Sequence, residues 1–113
     1  MNLKVEQKDE LTVVYLEGRF DAYSAPDVNT QMEELTEKQT TPKLIVNLQD
    51  VVFVDSTALA TLVKAMKHCR QKAGDLRLSD LKQPVRMIFE LTRLDRAFEI
   101  HVTEDAAISA YRA

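Results

Sequence analysis

The chain has 113 residues, 45% hydrophobic and 29% charged, with a formal net charge of -3. That gives room for one domain with one modest core, and too many apolar residues for wholesale disorder. The acidic balance argues against direct nucleic-acid binding, which selects a basic surface, and no apolar stretch reaches the roughly 20 residues that span a bilayer.

The start, MNLKVEQKDE, lacks the apolar centre of a signal peptide, and the lone Cys69 has no partner for an internal disulfide. Cytoplasmic location without membrane insertion is therefore expected. Charge is uneven along the chain: residues 1–60 carry five Lys/Arg against eleven Asp/Glu, and residues 61–113 carry ten against seven. Such an asymmetry can steer a partner, although solvated faces give the same counts.

Leu3, Val5 and Gln7 alternate weakly, and Leu11 to Leu16 is rich in β-formers, so the two runs predict an antiparallel hairpin. A helix is expected from Ser24 to about Lys38, with Ser24 as cap, Pro26 in the first turn and Val28, Met32 and Leu35 as its apolar stripe. A central strand starts at Lys43 and is expected to end near Leu48, followed by a short apolar connector to Asp55. Leu59, Leu62, Val63, Met66 and Cys69 then predict a helix from about Thr57 to Lys72, with Gly74 as its stop signal. Leu76 to Leu78 reads as a short strand, Pro84 to Leu94 as a helix, and Ala97 to His101 as a last strand. Thr103 caps a terminal helix whose first turn holds Glu104 and Asp105. The order β-β-α-β-α-β-α-β-α predicts a single α/β domain, a mixed sheet of about five strands covered by about four helices.

The most informative segment is Leu44 to Thr57, LIVNLQDVVFVDST. It places Asp55, Ser56 and Thr57 where a buried strand hands over to a helix. There several N–H groups lack intrahelical partners and the helix dipole is positive. A phosphate on Ser56 is tolerated at such a place, while Ser56 also reads simply as a helix cap.

The run VVFVDSTALATLV resembles the signature of the STAS family, the anti-sigma factor antagonists and their relatives. In that signature a hydrophobic strand is followed by Asp-Ser-Ser or Asp-Ser-Thr at the start of a helix. The segment VVYLEGRFD, ending at Asp21, looks like the family's second strand and following turn, and the similarity runs over nearly the whole chain. The resemblance implies a partner-switching protein. Unmodified, it binds an anti-sigma factor that is also a serine kinase and frees a sigma factor. Phosphorylation at the first serine of the motif, here Ser56 and less favourably Thr57, ends binding, and a PP2C-type phosphatase reverses the mark. Asp21, Asp55, Ser56, Thr57 and Ala58 would form the partner-binding rim.

The chain departs from the family at Ala58 and Ala60, which replace the two glycines usual after the triplet. Alanine makes a firmer helix by roughly 1 kcal/mol, but its methyl narrows a close backbone approach. A second reading therefore stays open: a STAS interaction module of an ABC-type transport complex, lipid or other, with no phosphorylation cycle. An enzyme is not expected. Glycine occurs only at Gly18 and Gly74, so no Gly-rich loop can cradle a nucleotide and no cofactor is implied. His68 and His101 lack metal-ligand spacing, and Ser56 has no nucleophile-elbow glycines around it. Asp21 and Asp55 read first as turn and cap residues, roles compatible with a place as acceptors on the rim.

Overall fold

The computed structural model describes residues 1–113. The strands are β1 (Asn2–Lys8), β2 (Leu11–Phe20), β3 (Lys43–Val54), β4 (Asp75–Ser79) and β5 (Ile100–His101). The helices are α1 (Ala25–Glu37), α2 (Ser56–Gln71), α3 (Gln83–Leu91) and α4 (Glu104–Arg112), with a 3-10 turn at Leu94–Arg96. They form one α/β domain with the expected element order. The sheet order is β1-β2-β3-β4-β5; β1 is antiparallel to β2 and the remaining pairs are parallel.

Because each parallel strand lies beside its predecessor, right-handed crossovers put the three connecting helices on one face. That face holds the main core, where Val14, Val46 and Leu78 pack with Val28, Met32, Leu62 and Phe89. Phe89 meets Phe98 edge to face, with centroids 5.8 Å apart. The alternate residues Leu11, Val13 and Ile45 point to the other face, where Ala107 of α4 covers them. The Tyr111 hydroxyl fastens α4 down, its one proton within reach of both the Leu44 carbonyl at 2.8 Å and the Asp75 carbonyl at 2.7 Å.

Several boundaries differ from the sequence reading. β2 continues to Phe20, and β3 continues past Leu48 to Val54, where the connector was expected. The polar residues Asn47, Gln49 and Asp50 broke the apolar run, but the two strands stay paired across register shifts at Tyr15/Glu17 and Gly18/Arg19. At the second shift the extra residue is Val52 of β3, opposite Gly18, whose φ of 110° is one that side chains other than glycine's rarely adopt.

Gly74 stops α2 differently from expectation. Ala73 takes the left-handed conformation at φ 63°, while the Gly74 N–H donates to the Cys69 carbonyl at 2.8 Å. Gly74 is required by contact: a Cβ there would lie 1.8 Å from the Pro42 carbonyl oxygen. α3 ends at Leu91 because Arg93 turns left-handed, and β5 is reduced to two residues.

Candidate functional site

β2 and β3 are neighbours, so the turns leaving their carboxyl ends lie side by side, at the edge where α/β sheets place their sites. Asp55 holds the two turns together. Its backbone is extended (φ -113°, ψ -176°), and its Oδ1 accepts the Ala58 N–H at 2.9 Å, capping α2. Its Oδ2 accepts the Ala22 N–H of the other turn at 2.9 Å. The Asp55 N–H donates to the Phe20 carbonyl at 3.3 Å. One carboxylate thus fixes the start of α2 and the approach to α1.

Ser56 is the first residue of α2 and is exposed, as is Thr57 behind it. The capping role that Ser56 could have filled falls to Asp55, whose extended backbone one residue earlier brings its carboxylate onto the third helical N–H. The N–H groups of Ser56 and Thr57 have no carbonyl four residues back inside the helix. The site therefore offers a free hydroxyl, two unpaired N–H groups and the positive end of a 16-residue helix.

Asp21 organises the neighbouring turn. Its Oδ1 accepts the N–H of Tyr23 at 3.0 Å and of Ser24 at 3.2 Å. Ser24, expected to cap α1, has a helical backbone and no capping bond. Its hydroxyl instead donates to the Arg19 carbonyl at 3.0 Å and accepts the Asp21 N–H at 3.0 Å. Desolvation pushes the Asp21 pKa upward, but the Ser24 and Tyr23 donors and nearby Arg19 outweigh it and hold the carboxyl below its ordinary range. Arg19 lies 3.7 Å from that carboxylate and stacks over the Phe53 ring at 4.2 Å.

The remaining rim candidates divide. Ala58 is 0% exposed and belongs to the main core, so its side chain gives a partner nothing to touch. Thr61, one turn further along α2, is also buried and donates to the Thr57 carbonyl at 3.0 Å. Of the two alanines in the motif, only Ala60 reaches the surface. It lines a shallow hollow of about 560 Å³ that runs from Ser56 along α2, past Leu59, Val63 and Lys67 to Leu94. Lys64 is exposed beside it and pairs with Glu33 at 3.2 Å.

Sequence reasoning missed Tyr23, which stands in the Asp21 turn 94% exposed. A single tyrosine in a turn has no periodicity to mark it. Cys69, expected as a small buried hydrophobe, is buried, and desolvation pushes its thiol up to about 12. No cluster of three His, Cys, Asp or Glu side chains is arranged to hold a metal. No helix is long and apolar enough to cross a membrane.

The STAS domain family profile matches residues 2–107. The anti-sigma-B factor antagonist of Listeria monocytogenes is 34% identical over 107 residues, covering 92% of this chain and 93% of the relative. A crystal structure of an anti-sigma factor antagonist from Mycobacterium paratuberculosis superposes with a TM-score of 0.89 at 26% identity, over 99% of this chain and 94% of the other. The phosphorylated form of the Bacillus cell fate determinant SpoIIAA shares the fold, with a TM-score of 0.75 at 20% identity over 97% and 99% of the two chains. With its fold, its Asp-Ser-Thr turn and a match over nearly its whole length, this chain belongs to the STAS domain family.

Proposed function

We propose that this chain is an anti-sigma factor antagonist that works by partner switching. Unmodified at Ser56, it binds an anti-sigma factor that is also a serine kinase, and the sigma factor goes free. The kinase phosphorylates Ser56 and the complex dissociates; a PP2C-type phosphatase restores the binding form. The chain acts in the cytoplasm as ligand and substrate, without cofactor or catalysis of its own, and does not touch nucleic acid.

The observation that carries this reading is the free, exposed Ser56 hydroxyl at the start of α2, where Asp55 already does the capping. The names of the relatives, anti-sigma factor antagonists, support the partner class. SpoIIAA has been solved in a phosphorylated form, a state this fold can accommodate. A phosphate adds about -1.5 to -2 charge at neutral pH. In the free protein the helix dipole and the Ser56 and Thr57 N–H groups offset it. Under a partner the same dianion must be desolvated beside Asp21 and Asp55, and a difference of roughly 3 kcal/mol lowers affinity more than a hundredfold.

The test is calorimetric titration of the anti-sigma factor with wild type, Ser56→Ala and Ser56→Asp, alongside phosphopeptide mapping after incubation with the factor and ATP. Binding by wild type and Ser56→Ala, lost in Ser56→Asp, with phosphate on Ser56, is the expected result. Equal affinity of both variants refutes control by charge at Ser56, and phosphate on Thr57 moves the switch one residue along.

A further inference from the structure

The turn that Asp55 ties to Ser56 carries the most exposed of the large hydrophobic and aromatic side chains. Tyr23 is 94% exposed, against 77% for Leu91 and 76% for Val102. Its backbone is tightly held. The Tyr23 N–H donates to the Asp21 carboxylate at 3.0 Å, the preceding Ala22 N–H to Asp55 at 2.9 Å, and the following Ser24 hydroxyl to the Arg19 carbonyl at 3.0 Å. A nearly fully solvated aromatic ring therefore stands on a rigid base.

The polar groups around it are already engaged. Asp21 serves the turn, Asp55 serves both turns, and Arg19 sits beside Asp21 and over Phe53. The Tyr23 ring is the group of this turn left without work inside the fold. Rigid, exposed aromatics of this kind make strong binding anchors, because a large apolar area is buried with little conformational entropy left to lose. Asp55 makes the turn continuous with the switch: Oδ2 holds the residue before Tyr23, and Oδ1 caps the helix that Ser56 begins.

We propose that Tyr23 is the aromatic anchor of the anti-sigma factor contact, its ring entering an apolar cleft of the partner next to the unmodified Ser56. This rests on the antagonist reading above. Seating the ring would bring the partner onto the turn that Asp55 holds, one residue before Ser56. Tyr23 is in this sense a specificity residue, and the partner must supply a cleft that takes a phenol ring.

The experiment uses the purified cognate anti-sigma factor and the full chain as wild type, Tyr23→Ala and Tyr23→Phe. Titration should show affinity falling about 30-fold in Tyr23→Ala, the scale of an interface hot spot, and staying near wild type in Tyr23→Phe. Thermal midpoints of all three should coincide, because the ring packs against nothing. In the kinase reaction Tyr23→Ala should raise KM for this protein and leave kcat unchanged. Undiminished binding of Tyr23→Ala beside tight wild-type binding overturns the anchor and leaves the antagonist reading standing. A lowered thermal midpoint in Tyr23→Ala overturns it too, since the ring would then serve the fold. Failure of wild type to bind the factor at all removes the antagonist reading and the anchor with it.

Discussion

The starts of α2 and α4 are built alike and used differently. Each has an extended cap residue whose side chain accepts the N–H three positions on: Asp55 from Ala58 at 2.9 Å, and Thr103 from Ala106 at 3.1 Å. The next residue is Ser56 in one and Glu104 in the other. Glu104 is drawn onto the sheet, its side chain 16% exposed, accepting from Lys8 at 2.9 Å and Asn47 at 3.1 Å. Ser56 is tied to nothing on the sheet. An anion at the first position of a helix is thus already part of this fold, and it is a clamp where the sheet brings donors beneath it. Where no donors lie beneath, the residue at the same position stays exposed. The difference comes from the strands: β3 runs beneath the start of α4 and the last residue of β1 reaches it, whereas α2 begins beyond the end of β3.

The comparison is broken first at Ser56. Ser56→Asp, which makes the start of α2 anionic like that of α4, should lower partner affinity about a hundredfold, while its thermal midpoint stays within a degree or two of wild type. A collapse of stability would mean that the α2 start cannot carry a negative charge. Asp55→Ala comes next. It removes the α2 cap and leaves the Ala22 N–H without its acceptor, and urea denaturation should report a loss of about 2 kcal/mol. Thr103→Ala removes a cap alone and should lose about 1 kcal/mol. Equal losses in the two variants would show that Asp55 does not bridge the turns.

The smallest effect is a pH dependence. Desolvation pushes the Glu104 pKa up, but Lys8, Asn47 and the Tyr15 hydroxyl outweigh it, and the group ends below its ordinary 4.5. Its contribution to stability is therefore full above about pH 4.5 and fades as pH falls through the lower folded-state value. The hydrogen bond and charge of Glu104 raise the Lys8 pKa above 10.5, so the Lys8 contribution fades as pH rises past that range. Denaturation of Glu104→Gln across pH should show a shallower acid slope than wild type. An unchanged slope would remove Glu104 from the clamp.

Much of the architecture was legible in the chain. The β-formers of Leu11–Leu16 and the three-and-four spacing at Leu59–Cys69 mark elements whose local pattern agrees with their burial. Asp55 was readable as a cap because Asp before a helical pattern has few other uses. Ser24 looked like a cap by the same rule and was not, because its backbone is helical and its hydroxyl is engaged by the Arg19 carbonyl and the Asp21 N–H. Gly74 was readable as a stop signal, but its reason, the approach of Pro42 from a distant loop, was not.

What the sequence determined by itself is the element order, the place of Ser56 at a strand-to-helix junction, and the family motif around it. Capping preference and hydrophobic period act over a few residues, so they can be read along the chain. Only the tertiary structure decided that Ala58 faces the core while Ala60 faces solvent, that Asp55 joins the two turns, and that Tyr23 stands exposed in the turn Asp55 holds. Those facts depend on β2 and β3 lying side by side, which brings Ala22 and Asp55, 33 residues apart, within one hydrogen bond. A pairing at that separation is fixed by the burial of the whole sheet, and no local preference encodes it.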